Sequence, residues 1–212
     1  MSDSINLKQL EKRAWRATFQ DGLWDIYLGL IFLGLGVGWI GDYIGLFYPF
    51  GTIILMFSID IIAILVITLG KKYISTPRLG QVKFGEKRKK RKKWLMIFLL
   101  LNVVFSLIIF ILTITSNLDQ LFMPSLFTPL ALGLMIITVP LSILTFFLQV
   151  PRLFVYALIG GFGFFLSELL YPLVGEPWDI IISYGSIGGS ILLIGLFIFI
   201  RFLQKYPLET EG

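Results

Sequence analysis

The sequence predicts an all-α membrane protein: a bundle of six transmembrane helices preceded by an amphipathic helix at the membrane surface. Two observations lead to this prediction. Hydrophobic side chains make up 57% of the 212 residues and charged side chains only 15%, whereas about 25% of the residues in a soluble domain are charged. The hydrophobic residues also lie in separate blocks, several of which reach the roughly 20 residues that a helix needs to cross a bilayer. These blocks lack the alternating polarity of a membrane β-barrel.

Six hydrophobic blocks define the predicted spans. Because the joints between them are short, consecutive spans are expected to pack as antiparallel neighbours in one bundle. The transmembrane domain covers residues 22–201 and includes a basic loop over residues 70–93; an amphipathic helix over residues 1–21 precedes it, and a tail over residues 202–212 follows. The predicted spans are Leu23–Ile40, Phe50–Leu69, Trp94–Thr115, Pro124–Leu148, Leu153–Leu173 and Trp178–Ile200.

The basic residues predict the orientation of this bundle. All 18 lysines and arginines fall before the first span, in the second and fourth joints, or after the last span. Basic residues accumulate in cytoplasmic loops, so we expect a multi-pass protein with both termini in the cytoplasm. The joints on the opposite side carry only acidic charges, at Asp42, Asp119, Glu176 and Asp179.

The densest charge is the run KRKKRKK (Lys87–Lys93), which directly precedes the third span. Orientation alone accounts for this run, but four to eight basic residues beside a span also attract anionic lipid headgroups, at about 1 kcal/mol per charge. Nucleic acid is the weakest interpretation, because no folded nucleic-acid-binding module accompanies the run. The predicted cytoplasmic binding face consists of Asp21, Arg78, Lys83, Lys87, Arg88, Lys89, Lys90, Arg91, Lys92 and Lys93.

A second basic segment precedes the first span. On a helical wheel over residues 4–20, Leu7 and Leu10 share one face, while Lys8 and Lys12 lie on the other. Such a helix is expected either to lie on the inner leaflet or to pack, solvated, over the joint between the second and third spans. Both alternatives place it on the same side of the membrane.

Asp60 is the candidate residue for ion movement. It lies about 14 Å from the cytoplasmic end of the second span, and no lysine or arginine lies in the interior of any span. A bare carboxylate at this depth costs at least about 2.5–3.5 kcal/mol, so it must be protonated, hydrogen-bonded, hydrated or bound to a cation. Asn102 lies at nearly the same depth in the third span. Asp60 and Asn102 therefore form either an ion or proton path or a packed, hydrogen-bonded pair.

Three further residues rank second. Asp25 lies near the cytoplasmic edge and is expected to form an ion pair with Arg78 or Lys83. Glu168 lies near the outer end of the fifth span and can reach the interface. Pro140 removes one backbone hydrogen bond in the middle of the fourth span. The resulting kink either frees carbonyl groups for a cation site or serves helix packing alone.

Small residues recur in three spans. Gly34 and Gly38 lie four residues apart in the first span, Gly185 and Gly189 repeat this spacing in the sixth, and residues 160–163 of the fifth include three glycines. Small residues at this spacing let helix backbones approach closely. We expect spans one, five and six to pack together, with a homo-oligomer interface as the alternative.

The lack of cysteine and histidine excludes several kinds of site. A disulfide, an Fe–S cluster, a Cys/His zinc site and a histidine base all need these residues. The sequence also contains no glycine-rich phosphate loop, nucleophile elbow or paired carboxylates. We therefore expect no catalytic residue, metal or cofactor, and an enzyme that acts on lipid is the least supported function.

Three stretches carry a family resemblance: TFQDGLWDIYLGL (Thr18–Leu30), TPRLGQVKF (Thr76–Phe84) and RFLQKYP (Arg201–Pro207). They resemble a family of small prokaryotic multispanning membrane proteins that has no assigned function. The resemblance implies a bacterial or archaeal source and a location in the cytoplasmic membrane, and it implies no catalytic role. All three stretches lie at the predicted cytoplasmic edge, and none contains Asp60.

Two functions are consistent with these patterns. In the first, the chain is a small ion or solute transporter or channel in which Asp60 titrates or coordinates the ion. In the second, it is a non-catalytic accessory or scaffold subunit that binds a membrane protein partner, a second copy or anionic lipid through its cytoplasmic face. The position of the three resembling stretches favours the second function. The isolation of Asp60 from any basic partner favours the first, which is the preferred expectation.

Overall fold

The computed structural model of the chain describes residues 19–46, 50–79, 93–94, 97 and 127–207. Every regular element in these residues is helical, as the all-α prediction requires. Several predictions concern other parts of the chain. The amphipathic helix before residue 19, Lys83, Asn102 and the first six residues of the KRKKRKK run lie outside the described residues.

The described residues form α-helices that are joined in two places by π-helical segments. Each π-helical segment continues directly from the α-helix before it into the α-helix after it. The α-helices are α1 (Leu23–Val37), α2 (Ile40–Tyr43), α3 (Gly51–Leu69), α4 (Thr76–Leu79), α5 (Phe127–Gly133), α6 (Val139–Leu148), α7 (Arg152–Val174) and α8 (Trp178–Lys205). The π-helical segments are Gly70–Ser75, between α3 and α4, and Leu134–Thr138, between α5 and α6.

Five helical stretches in the described residues are long and apolar enough to cross a membrane. They correspond to the first, second, fourth, fifth and sixth predicted spans. The third predicted span, Trp94–Thr115, lies outside the described residues except at positions 94 and 97. The five stretches are Leu23–Tyr43, Gly51–Leu79, Thr128–Leu148, Arg152–Val174 and Trp178–Lys205.

Two helices continue beyond the apolar blocks that predicted them. The second predicted span ends at Leu69, but its helix continues through the π-helical segment and α4 to Leu79. Similarly, α8 continues past Ile200 to Lys205. Apolar composition marks the part of a helix that lipid can surround, whereas the backbone hydrogen bonds that define the helix ends can continue into water. Residues 70–79, which belong to the predicted basic loop, are therefore helical.

The chain divides into two compact units. The first unit contains residues 1–84 and 184–212, and the second contains residues 85–183. The helix α8 begins in the second unit and continues into the first.

In the first unit, α1 packs closely against α8 because glycines remove side chains from the contact. A Cβ built on Gly29 would lie 2.6 Å from the backbone nitrogen of Leu192, and one built on Gly36 would lie 2.8 Å from the backbone nitrogen of Gly185. Gly29 and Gly36 are about two helical turns apart, so they share one face of α1. The expected close packing of the first and sixth spans is present.

Gly34 and Gly38, which the sequence assigned to the same contact, face α3 instead. A Cβ built on Gly34 would lie 3.2 Å from the Cγ2 atom of Ile59, and Leu23 lies against Gly70 at the other end of the contact. Residue numbers in α3 therefore fall as those in α1 rise, which makes the two helices antiparallel. Close contacts thus flank α1 on two sides, toward α3 and toward α8.

In the second unit, α7 packs against α5 and the π-helical segment that follows it. The Thr138 hydroxyl donates a hydrogen bond of 2.9 Å to the Ala157 carbonyl, and Gly161 lies directly against the Thr138 hydroxyl. The segment Leu134–Thr138 ends two residues before Pro140. A proline ring clashes with the carbonyl four residues earlier, and a π-type adjustment re-satisfies the freed backbone groups. Pro140 therefore changes the helix type, and the helix continues through it.

Replacing Gly29 with alanine is expected to destabilise the first unit. The new Cβ would meet the Leu192 backbone, which cannot move aside like a flexible side chain, and overpacking of this kind costs about 1–3 kcal/mol. Gly189→Ala is the matched control, because a Cβ at Gly189 meets nothing within 4 Å. Thermal unfolding in detergent, followed by tryptophan fluorescence, should show a lower midpoint for Gly29→Ala only. Equal midpoints for the two variants would contradict the packing described.

Candidate functional site

Two acidic sites lie along the contact between α1 and the antiparallel helix that contains α3. The first site is Asp21, at the start of α1, where the opposite helix has become the π-helical segment Gly70–Ser75. The second is Asp60, in the middle of α3. Both sites belong to the first unit, and they differ in how the protein surrounds the carboxyl group.

The start of α1 carries Asp21 into the protein interior. Gly22, the residue before α1, adopts a left-handed conformation with a φ of 77°, which favours glycine. A Cβ at Gly22 would also lie 2.6 Å from the carbonyl oxygen of Gly195 in α8. Only glycine fits a turn that touches a neighbouring backbone this closely. The Asp21 side chain, immediately before the turn, is fully buried as a result.

Two side chains from the opposite helix bind the buried carboxylate. Lys71 Nζ lies 2.6 Å from Asp21 Oδ2, and the Ser75 hydroxyl donates to the same oxygen at 2.5 Å. The other oxygen, Oδ1, accepts the Leu23 backbone N–H at 3.3 Å. Lys71 Nζ also lies 5.5 Å from the centre of the Phe19 ring, within cation–π range. Both carboxylate oxygens are therefore hydrogen-bonded, as a buried charge requires.

The π-helical segment Gly70–Ser75 positions both partners of Asp21. Lys71 and Ser75 are four residues apart, and the wide π turn places them on nearly the same side of the helix. Gly70 lies against the Leu23 side chain, which brings this turn close to the start of α1. Single π turns within α-helices frequently occur at functional sites. Here the Lys71 ammonium and the Ser75 hydroxyl, both on this turn, bind the Asp21 carboxylate.

Asp21 was predicted as a binding-face residue, whereas its partners Lys71 and Ser75 were not predicted. A signal for Lys71 was present in the sequence. Asp21 lies two residues before the first predicted span and Lys71 two residues after the second, so antiparallel packing brings them to the same level. Ser75 gave no such signal, because the sequence does not indicate which side of this helix meets α1.

Arg78 binds backbone carbonyls instead of its predicted partner, Asp25. Its Nε donates to the Tyr206 carbonyl at 2.9 Å, and its Nη1 donates to the Ile74 carbonyl at 3.3 Å. Arg78 therefore links α4 to the residue that follows α8. The sequence predicted Arg78 as a binding-face residue, and these contacts show that it also has a structural role.

Asp25 is fully buried on the side of α1 that meets α8. Its Cβ lies 3.0 Å from the position that a Cβ on Gly195 would take. Asp21 lies four residues before Asp25, but the two residues do not share a helix face, since α1 begins only at Leu23 and Asp21 lies before the turn.

Asp60 lies nine residues from each end of α3, at Gly51 and Leu69, and thus about 14 Å from either end. Its side chain is partly exposed. On α1 it faces Gly34, where a built Cβ would lie 3.6 Å from Asp60 Oδ1, so the carboxyl group lies close to the α1 backbone. Among the described residues, no lysine or arginine forms an ion pair with Asp60. The predicted partner Asn102 lies outside these residues.

Tyr27 is the polar neighbour of Asp60 on α1. It lies about two turns before Gly34 and so shares the face of α1 that meets α3. The Tyr27 hydroxyl is within electrostatic range of the Asp60 carboxyl group. Ser58, in contrast, donates its hydroxyl to the Ile54 carbonyl at 2.7 Å and so serves its own helix. Tyr27 was not a predicted site residue, because its sequence position alone does not indicate which face of α1 meets α3.

In the second unit, a buried hydrogen bond lies beside the predicted residue Glu168. Glu168 itself is exposed on α7, as a residue that reaches the membrane interface would be. Its neighbour Ser167 is buried and donates to Asp179 Oδ2 at 2.7 Å. Asp179 lies in the first turn of α8, where the helix dipole favours an acidic side chain. This hydrogen bond joins α7 to the start of α8.

No family model, curated protein or solved structure matches this chain. The function is therefore inferred from the chemistry of the two sites. Asp21 is fully hydrogen-bonded by its own protein, and the contact fixes one helix against another. Asp60 combines a central position, a side chain that is partly exposed and an electrostatic interaction with Tyr27, and a carboxyl group in these surroundings can bind a proton or a small cation.

Removing one partner of the Asp21–Lys71 pair is expected to destabilise the first unit more than removing both. A buried charge that loses its partner costs about 3–5 kcal/mol. The Lys71 side chain is 29% exposed, so we expect about 2–3 kcal/mol for Lys71→Met. The double variant Asp21→Asn/Lys71→Met should recover part of this loss, because the amide oxygen can accept the Leu23 N–H while the amide NH2 group donates to the Ser75 hydroxyl.

Unfolding in mixtures of sodium dodecyl sulfate and a mild detergent measures these free energies. Lys72→Met is the matched control, because Lys72 is the next residue and is exposed; its unfolding free energy should stay within about 0.5 kcal/mol of wild type. If the losses of Asp21→Asn and Lys71→Met simply add in the double variant, the two residues are not coupled and the described network is wrong.

Proposed function

We propose that this protein is a small transporter or channel for protons or monovalent cations, and that Asp60 binds the ion. The observation that carries this proposal is the position of the Asp60 carboxyl group. It lies at the centre of an apolar helix, close to the α1 backbone at Gly34, and forms no ion pair within the described residues.

The cost of an isolated carboxylate supports an ion-binding role. At the centre of a membrane span, an acidic side chain costs about 2.5–3.5 kcal/mol. A proton, a cation or water offsets this cost, and each of these requires that the carboxyl group can be reached. Asp60 is partly exposed, in contrast to the fully buried Asp21. Acidic residues in such positions commonly mark ion or proton pathways.

The α1–α3 contact contains the other polar groups of the proposed pathway. The Tyr27 hydroxyl interacts electrostatically with Asp60, and a hydroxyl can both donate and accept a proton. At the start of α1, the bonds of Lys71 and Ser75 to Asp21 join the same two helices. An ion that moves between these helices therefore meets Tyr27 and the Asp21 network on one side of Asp60.

Replacing Asp60 with asparagine is expected to lower ion flux through reconstituted protein by at least about tenfold, because an amide cannot take up a proton or carry the charge that attracts a cation. In liposomes loaded with a pH-sensitive dye, a potassium diffusion potential drives proton entry, and sodium gradients test the alternative ion. Ser58→Ala is the matched control, since Ser58 lies on the same helix and bonds only its own backbone.

Three results of this experiment would overturn the transport proposal. Equal flux in Asp60→Asn and wild type, or no flux in wild type under either gradient, would overturn the transport proposal. Loss of flux in both Asp60→Asn and Ser58→Ala would also overturn it, provided that both variants unfold at the same midpoint as wild type. Such a result would mean that the flux does not depend on the carboxyl group of Asp60.

A second candidate function is a non-catalytic accessory or scaffold subunit. The observation that favours it is that the three stretches of family resemblance contact one another or their flanking residues in the first unit. Asp21, in the first stretch, accepts a hydrogen bond from Ser75, next to the second stretch. Arg78, in the second, donates to Tyr206 in the third. An unchanged set of co-purifying membrane proteins after neutralisation of Lys87–Lys93 would count against this candidate.

A further inference from the structure

We propose that Arg78, Arg201 and Lys205 form a binding site for the phosphate group of an anionic phospholipid. We call these three residues, together with Tyr206, the basic junction. The proposal is independent of ion transport. It is argued from the contacts that hold the junction together, from its charge and from the apolar surface beside it.

The hydrogen bonds of Arg78 hold the junction together. Its Nε donates to the Tyr206 carbonyl at 2.9 Å, and its Nη1 donates to the Ile74 carbonyl at 3.3 Å. A guanidinium group has five N–H donors, so three remain for a ligand. The Tyr206 ring packs on Phe202, with ring centres 5.2 Å apart, and Phe202 is buried. Arg78 is therefore held in place with donors to spare.

The junction has three positive charges and no acidic partner in the part of the chain that the structure describes. Both acceptors of Arg78 are neutral carbonyls. Arg201 and Lys205 are exposed and lie four residues apart on α8, so they share a helix face. Lys205 Nζ lies 5.4 Å from the centre of the Tyr206 ring, which keeps it beside the junction.

The helix dipole explains only part of this charge. The carboxyl end of a helix favours a cation in its last turn, which accounts for Lys205. It does not provide a counter-ion for Arg78 and Arg201. A phosphate group would do so, because the planar guanidinium fork binds two phosphate oxygens at once and lysine adds a point charge.

The surface beside the junction favours a lipid over a free phosphate ion. Within one turn before Arg201, the Phe197 side chain is 68% exposed and the Ile200 side chain 54% exposed. Along α8 the surface thus changes from apolar to basic at a single residue. A phospholipid presents the same order, with acyl chains followed by phosphate. Tyrosine, here Tyr206, is typical of this level of a membrane.

Native mass spectrometry of the purified protein tests the proposal. The protein is equilibrated in neutral detergent with equal amounts of phosphatidylglycerol and phosphatidylcholine, and the retained lipids are counted. Wild type should retain phosphatidylglycerol in preference. Arg201→Gln/Lys205→Gln should weaken this retention by at least about fivefold, the effect of one surface charge on lipid attraction. Both side chains are exposed, so the variant should fold, and an unchanged unfolding midpoint checks this.

Matched variants distinguish a site from diffuse attraction. Lys72→Gln removes one charge from an exposed lysine outside the junction and should retain the lipid as wild type does, whereas the single variant Arg201→Gln should lose part of it. Arg78→Lys keeps the charge but loses the fork, so its retention should fall between that of wild type and that of Arg201→Gln/Lys205→Gln. Equal loss in Lys72→Gln and Arg201→Gln, no lipid preference in wild type, or displacement of the lipid by millimolar inorganic phosphate would each overturn the proposal.

Discussion

The close approach of α1 to its two neighbours is the constraint on which the first unit depends. Gly22 and Gly29 bring α1 against the backbone of α8, and Gly34 brings it against α3. Because lipid chains are as apolar as the helices, the hydrophobic effect does not drive helices together in a membrane, and close backbone packing with a few polar contacts must hold them. The burial of Asp21 and the position of Asp60 beside α1 both follow from this approach.

Asp21 and Asp60 show two ways to place a carboxyl group in a pair of apolar helices. Asp21 forms an ion pair with a lysine and accepts hydrogen bonds from a serine and a backbone N–H. Its charge therefore stabilises the contact between the two helices. Asp60 lies close to the α1 backbone at Gly34 and forms no ion pair among the described residues. Such a difference in surroundings, rather than the presence of an acid in a span, supports different roles for the two residues.

The helices could be predicted from the sequence, but most of their contacts could not. Length and hydropathy are local properties, so the apolar blocks predicted the five described stretches that can cross a membrane. Contacts depend on which side of a helix meets which neighbour, and helices that are apolar all round carry no stripe that identifies this side. Gly34 was therefore assigned to the wrong neighbour. Tyr27 and Ser75 were missed for the same reason, whereas the level of Asp60 followed from simple counting. The family resemblance and the function remain predictions.

The π-helical turn at Gly70–Ser75 sets the angular phase of every residue after it. A π turn contains about one residue more than an α turn, so the following residues are rotated by about 100° relative to an uninterrupted α-helix. Deleting a single residue there would turn Arg78 away from Tyr206 without altering the apolar composition of α3. A one-residue insertion or deletion at this turn can therefore change the contacts of the basic residues that follow it. The apolar stretch before the turn, which is long enough to cross a bilayer, stays the same.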